Sequence, residues 1–400
     1  MISDRLRGLV ASSSGIREMF EAGAALAKLH GKENVFDFSL GNPSVATPAS
    51  IKSAIDRILG AESPFRVHGY MNNAGFEDAR ELIAGSVNAE YGARFTADNI
   101  IMTCGAAGAV NIIMRSVLND GDEVAIFSPY FAEYISYTAV NGGVPIIVEG
   151  CDSGFLPDLD EFERKLTART KLVFVNSPNN PSGAVYPAAT FEALAGILGA
   201  KQRQFGHPIY LISDEPYRKL VFEGEKPPFV PRYYKNTFIV YSLSKTLSIP
   251  GERIGYAAFP SEMDGFEEVK GALTVANRVL GFVNAPSLFQ LVIAQCIDEQ
   301  VDIGVYRRNR DLLYDSLRGM GYECGLPQGT FYMFPRSPIE DDAAFCNIAK
   351  GHNLLVVPGR SFGAPGYFRI AFCVDYDMIE RSLPSFRRAY EDAAKTRGSA

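Results

Sequence analysis

The sequence predicts an α/β protein in which a large domain, built on a mostly parallel seven-stranded sheet sandwiched by helices, is joined by a smaller α+β domain. Three observations carry this. From Ile100 onwards, short apolar or β-branched runs alternate with segments of helical spacing. Such alternation implies a largely parallel sheet covered by helices on both faces. At 400 residues the chain exceeds what one hydrophobic core usually holds, so two domains are expected. The C-terminal third reads differently, as amphipathic helices and short strands joined by Gly/Pro turns.

In chain order, Ile16–His30 has apolar residues at helical spacing and is followed by Gly31, which predicts an N-terminal helix. Val35–Leu40 reads as a short strand entering the turn Gly41-Asn42-Pro43-Ser44, whose backbone is open to close approach. Pro48–Leu59 and Gly75–Tyr91 read as helices. Between them Phe65–Gly75 reads as a polar, aromatic loop long enough to reach a neighbouring subunit.

The strands of the large sheet are expected at Ile100–Thr103, Glu123–Phe127, Val144–Val148, Lys171–Asn176, Pro208–Asp214, Thr237–Tyr241 and Ile254–Phe259. Helices are expected at Ala107–Leu118, Pro129–Val140, Leu159–Leu166 and Pro187–Lys201. Further on, Asp302–Gly319 and Met378–Ala394 read as amphipathic helices, and Thr330–Phe334, Leu354–Val357 and Tyr367–Phe372 as strands. The large domain is then 46–290. Residues 1–45 and 291–400 form the small domain with an N-terminal arm.

Composition narrows the function. The chain is 47% hydrophobic and 21% charged, an ordinary globular mixture. Its net charge of −7 argues against nucleic acid as the main partner. No apolar run is long enough to span a membrane and no secretory leader is evident, so a cytoplasmic protein is expected. Cys104, Cys151, Cys296, Cys324, Cys346 and Cys373 are scattered without a Cys-x-x-Cys, which suggests reduced thiols and neither a disulfide frame nor a metal site.

In a doubly covered parallel sheet the ligand lies beyond the carboxyl ends of the strands, so the residues after each strand are the ones to inspect. After Ile100–Thr103 comes Cys104-Gly105-Ala106-Ala107-Gly108-Ala109, small residues opening a helix. They are either an anion pocket made of backbone N–H groups or a site of close helix packing. After Glu123–Phe127 stand Tyr130 and Phe131, an aromatic pair of the kind found in cores and stacking platforms alike. After Lys171–Asn176 comes a turn-forming stretch from which Asn180 offers an amide. Asp214, at the end of a buried strand, needs a cation or donor to offset desolvation, and Tyr217 follows three residues later. After Thr237–Tyr241 comes Ser242-Leu243-Ser244-Lys245. There partial desolvation favours the neutral amine that condenses with a carbonyl, while Ser242, Ser244 and Arg253 suit a dianionic phosphate. A solvated lysine on a surface turn is the plainer alternative for that stretch taken alone.

Together, Gly105-Ala106-Ala107-Gly108-Ala109, Asn180-Pro181-Ser182-Gly183, Asp214-Glu215-Pro216-Tyr217, Ser242-Leu243-Ser244-Lys245 and Glu252-Arg253-Ile254-Gly255 resemble the class I/II aminotransferases, fold-type I pyridoxal 5′-phosphate (PLP) enzymes. The order and spacing match from about Val35 to Phe372, and the set is specific although each piece is weak.

The resemblance implies that Lys245 holds PLP as an internal aldimine and later serves as general base. It implies that Asp214 pairs with the ring nitrogen and makes the ring an electron sink. Asn180 and Tyr217 would meet the phenolic oxygen and Phe131 would stack on the ring. The phosphate would sit at Gly105, Ala106 and Ala107 with Ser242, Ser244 and Arg253. Arg369 would clamp the substrate α-carboxylate, and the Gly41 loop would close over the substrate. Tyr70 would reach the phosphate of the other subunit, implying a homodimer with shared sites, and a hinge would close the small domain over substrate.

The implied activity moves an amino group between an L-amino acid and a 2-oxo acid in ping-pong fashion. Elimination, replacement or cyclisation at the β or γ carbon on the same PLP site is the alternative. A non-catalytic module is disfavoured because Lys245, Asp214 and Arg369 are all in place. Two departures bear on specificity. Ala107 stands where many relatives have threonine or lysine, so contact there is by backbone, and Arg360 stands where a small polar residue is expected. Arg360 and Arg17 are each either readers of a substrate carboxylate or ordinary surface residues.

Overall fold

A computed structural model describes residues 2–3, 6–9, 19, 23, 25–150, 154–223 and 226–397. Of the expected helix Ile16–His30, every described residue, Met19, Gly23 and 25–30, is helical. Arg17 and Cys151 lie outside the described residues.

The strands are β1 (Phe36–Asp37), β2 (Ile100–Thr103), β3 (Glu123–Phe127), β4 (Val144–Val148), β5 (Thr170–Asn176), β6 (Tyr210–Asp214), β7 (Thr237–Ser242), β8 (Gly255–Ala258), β9 (Tyr332–Met333), β10 (Leu354–Leu355), β11 (Val357–Pro358) and β12 (Phe368–Ala371). Seven of them form one sheet in the order β2-β8-β7-β6-β5-β3-β4. The pairs from β7 to β4 are parallel, and β8 runs antiparallel to both β7 and β2. Six strands therefore end on one edge, and β8 begins there. This explains how Arg253, which precedes its strand, joins residues that follow theirs.

The sheet is buried on both faces because its strands are nearly continuous apolar runs. Side chains alternate between faces along each strand. Val124 and Ile126 of β3 pack with Ile101, Ile113 and Leu172, whereas Ala125 and Phe127 pack on the other side with Val173, Phe191 and Leu194. Helices Gly105–Val117, Phe266–Val279 and Ala188–Phe205 cover these faces.

Two expectations change. The stretch expected as a loop from Phe65 opens as a helical turn, Pro64–His68. Ser63 accepts from the Phe65 N–H at 3.3 Å, and Pro64 occupies the first turn, where a missing N–H costs nothing. The single strand expected at Leu354–Val357 is two. Leu354–Leu355 pairs in parallel with β1, whereas Val357–Pro358 pairs with β12 in the three-stranded sheet β11-β12-β9. Pro358 is tolerated because β11 is an edge strand there.

A separate apolar cluster gathers Phe38, Tyr306, Leu313, Phe331, Leu354, Phe368 and Phe386 around the small sheets. The expected division at 290/291 falls inside helix Ser287–Cys296. Its Leu291, Val292, Ile293 and Cys296 pack with Ile51, Ile83 and Tyr241 beside the large sheet.

Candidate active site

At the edge where six strands end, a cavity of about 440 Å³ opens between the large sheet and β12. Lys245, Asp214, Asn180, Tyr217, Phe131, Ala106, Ala107, Ser242, Ser244, Arg253, Gly41 and Arg369 all line it.

One end is built for an anion. Helix Gly105–Val117 points its free N–H groups from Ala106 and Ala107 towards the space, so no cation is needed in that turn. Ser242 and Ser244 stand with their hydroxyl oxygens 2.8 Å apart, and Ser242 caps the short helix Leu243–Thr246. Arg253 has φ of 52°, a costly conformation for a side-chain-bearing residue, and donates to the Pro250 and Cys104 carbonyls at 3.0 and 3.3 Å. Gly105 itself is not on the cavity wall but lies beneath this guanidinium. A Cβ on it would stand 2.8 Å from Arg253 Nη2, and its φ is +72°.

At the other end sits the acid. Asp214 Oδ2 accepts from the buried Tyr134 hydroxyl, whereas Oδ1 is buried with no hydrogen-bond partner. Burial raises the Asp214 carboxyl to about 7, with the Tyr134 hydrogen bond pulling down and Glu215 pushing up. Tyr134 also stacks on Phe174 at 4.3 Å between centroids and meets Phe131 edge-on at 5.5 Å. Asn176 donates to the Asp214 carbonyl at 2.8 Å and accepts from the Asn180 N–H at 2.8 Å.

Between the ends, Lys245 donates from Nζ to the Gly41 carbonyl at 2.6 Å. Burial pulls the amine down to about 8; Arg369 and Arg253 add to this, and the Cys373 thiol opposes it. Opposite, Arg369 on β12 donates to Asn180 Oδ1 at 3.1 Å and to the Ser39 carbonyl at 2.7 Å, and its buried Nε has no partner. A lysine amine eased towards neutrality, an orphaned carboxylate oxygen and an under-partnered guanidinium thus face one space.

The family model for aminotransferase class I and II matches residues 33–386 of this chain. The chain belongs to the class I and II aminotransferases.

The aspartate/prephenate aminotransferase of Thermus thermophilus is 33% identical over 363 residues, covering 87% of this chain and 89% of that one. A crystal structure of an aminotransferase from Eubacterium rectale superposes with a TM-score of 0.95 at 42% identity, covering 98% and 99% of the two chains. The Thermus thermophilus aspartate aminotransferase solved with maleate gives 0.85 at 28% identity, covering 97% and 99%. The chain is therefore a PLP-dependent transaminase acting on amino acids and 2-oxo acids. Membership favours this over the elimination, replacement or cyclisation reading.

The cavity fits the cofactor. The aminotransferase's helix N-terminus, two hydroxyls and Arg253 suit a phosphate, the bare Oδ1 of Asp214 suits a protonated ring nitrogen, and Lys245 suits an aldehyde. Tyr70 is not part of its own chain's cavity and is 94% exposed. Arg360 is also outside. Its Nε donates to buried Asp342 at 2.6 Å, its N–H to the other Asp342 oxygen at 2.7 Å, and its guanidinium pairs with Asp341. The ion-pair reading of Arg360 is therefore the one the geometry supports.

Sequence reasoning passed over Tyr134, Tyr332, Glu133, Tyr137 and Asn176, all on the wall. Tyr134 follows Phe131 by one helical turn, which was a usable signal. Tyr332 had none, because only the fold brings its hydroxyl within 3.2 Å of Tyr217. It also explains Gly41, since a Cβ there would strike the Tyr332 hydroxyl at 1.8 Å.

Proposed function

We propose that Lys245 carries the PLP and moves the substrate's Cα proton, with Asp214 and Arg369 as its principal helpers. The observation that carries this is the buried, unpartnered Oδ1 of Asp214 in the same cavity as Lys245. When bound, PLP supplies an electron sink for the pair left at Cα. Asp214 Oδ1 would keep the ring nitrogen protonated, and Asn180 and Tyr217 would hold the phenolic oxygen. Phe131 would pack against the ring. Ala106, Ala107, Ser242, Ser244 and Arg253 would bind the phosphate, with Gly105 allowing Arg253 its approach. Arg369 receives the α-carboxylate through its outward N–H groups, so that Cα is presented to Lys245 Nζ, which takes the proton and returns it. Gly41 gives up the lysine and meets substrate through its backbone.

The working form is a homodimer with shared sites. Tyr70 and Phe65, at 94% and 90% exposure, are the most exposed large hydrophobic side chains among the described residues, and a second copy would cover them. Tyr70 then reaches the partner's phosphate site. The large domain ends after Cys296, and the remainder with the N-terminal segment closes over substrate. Five free thiols among the described residues support a reducing, cytoplasmic setting.

The experiment is an absorbance scan of the loaded protein with single L-amino acids. Bleaching towards pyridoxamine phosphate with one equivalent of 2-oxo acid is expected. Ammonia or sulfide released without pyridoxamine phosphate would overturn the transaminase assignment.

A further inference from the structure

Resting on the transaminase reading above, we infer that this site favours amino acids whose side chains are neutral or cationic over dicarboxylates, and that Glu133 sets the preference. Five charged side chains line the cavity: Lys245, Arg253, Arg369, Asp214 and Glu133. The first four are each matched by a group every substrate–cofactor pair brings: aldehyde, phosphate, α-carboxylate and ring nitrogen. Glu133 alone is left to meet what varies, the substrate side chain.

Among the described residues of this chain, no further cation lines the cavity to offset it. Arg360 is bound to Asp341 and Asp342 away from the cavity. Among the described residues no ion pair involves Glu133. It opens helix Glu133–Val140, and Tyr137, one turn further on, lines the same wall. Burial, then Glu133 and Asp214, push the Tyr137 phenol up to about 12 against the opposing pull of Arg253, so it offers a neutral hydroxyl on the same wall. A second substrate carboxylate entering here meets an anion and a phenol. An ammonium or hydroxyl meets acceptors.

The test uses the full-length, PLP-loaded protein. Single-turnover bleaching is followed with L-aspartate, L-glutamate, L-alanine and L-lysine, in the wild type and in Glu133→Gln. Glu133 is exposed, so the variant is expected to fold. Wild type should react faster with alanine and lysine than with either acidic donor. In Glu133→Gln the aspartate-to-alanine rate ratio should rise about tenfold and the lysine-to-alanine ratio should fall by a similar factor. A binding readout accompanies the rates: the ratio of succinate to propionate affinity, titrated spectrally, should rise by the same factor. Wild-type preference for aspartate or glutamate would overturn the inference, and so would ratios that the substitution leaves alone. Bleaching by no donor at all would bring down the transaminase reading itself, a result distinct from a reversed preference.

Discussion

The Tyr134 hydroxyl donates to Oδ2 of Asp214 and leaves Oδ1 bare, in a pocket where both residues are buried. One hydrogen bond thus fixes which carboxylate oxygen faces the cavity. It also favours the charged form that burial opposes. Tyr134→Phe keeps the ring packing against Phe174 and Phe131 but removes the donor. PLP affinity should fall about 10- to 100-fold, the range for a hydrogen bond to a charged group, with little change in thermal midpoint. Equilibrium dialysis of the cofactor checks this.

Asp214 also sets a stability cost. Its carboxyl is raised to about 7 in the folded state, above its unfolded value. The folded state then binds the extra proton between the unfolded value and about 7, so cofactor-free stability falls as pH rises through that window. Cofactor-free Asp214→Asn should be more stable than wild type at pH 8, by an amount on the order of a few kcal/mol, and nearly equal to it near pH 4. Saturating PLP should reverse the order at pH 8, because only the wild type gains the ring-nitrogen contact. Denaturant midpoints with and without PLP measure both.

Lys245 titrates in the opposite sense. Its amine is held near 8 by burial, below its unfolded value, so its charged form weighs on the fold at lower pH and that cost is relieved as pH rises above 8. The neutral amine is the one that captures an aldehyde, so PLP loading should accelerate roughly tenfold per pH unit below 8 and level off above it. Stopped-flow absorbance gives the profile. Lys245→Ala should abolish turnover while circular dichroism and subunit mass stay as in wild type. Transamination by that variant at a comparable rate would falsify the assignment.

Arg218 and Glu215 form a buried ion pair that does not line the cavity. Arg218 meets Glu215 at 3.2 Å and the Tyr256 hydroxyl at 3.0 Å, and its guanidinium lies over the Tyr241 ring at 4.3 Å. Removing one partner leaves an uncompensated buried charge, so Arg218→Met should cost about 3–5 kcal/mol. The double variant Arg218→Met with Glu215→Leu should recover much of that. Urea unfolding of the set tests the coupling.

Gly105→Ala places a Cβ at a positive φ and against Arg253. The expected outcome is weaker PLP binding and inorganic phosphate binding in parallel, with the fold retained. Titration with each ligand checks it.

Much of the large sheet was legible because its strands are buried on both faces and read as apolar runs of the right length, Val173-Phe174-Val175 being typical. The cavity residues that end strands, such as Asp214, were legible for the same reason. A charge closing such a run is costly to bury unless a ligand or donor meets it. Short strands were harder. Leu354–Val357 reads as one run, and only the positions of β1 and β12 decide that it divides. Tyr332 and Glu133 were missed because their meaning lies in what faces them across the cavity, which no spacing along the chain encodes, whereas Tyr134 was signalled by its place one turn after Phe131.

The lysine and Arg253 share one loop whose ends are held together by the pairing of Ser242 with Gly255, and Asp214 stands on the next strand of the same sheet. Arg369 stands on another sheet altogether. On the proposed roles, the groups that hold what stays through every turnover stand on one sheet, and the group that holds what comes and goes stands on another. A visitor could then be seized and released at β12 without loosening the resident's hold.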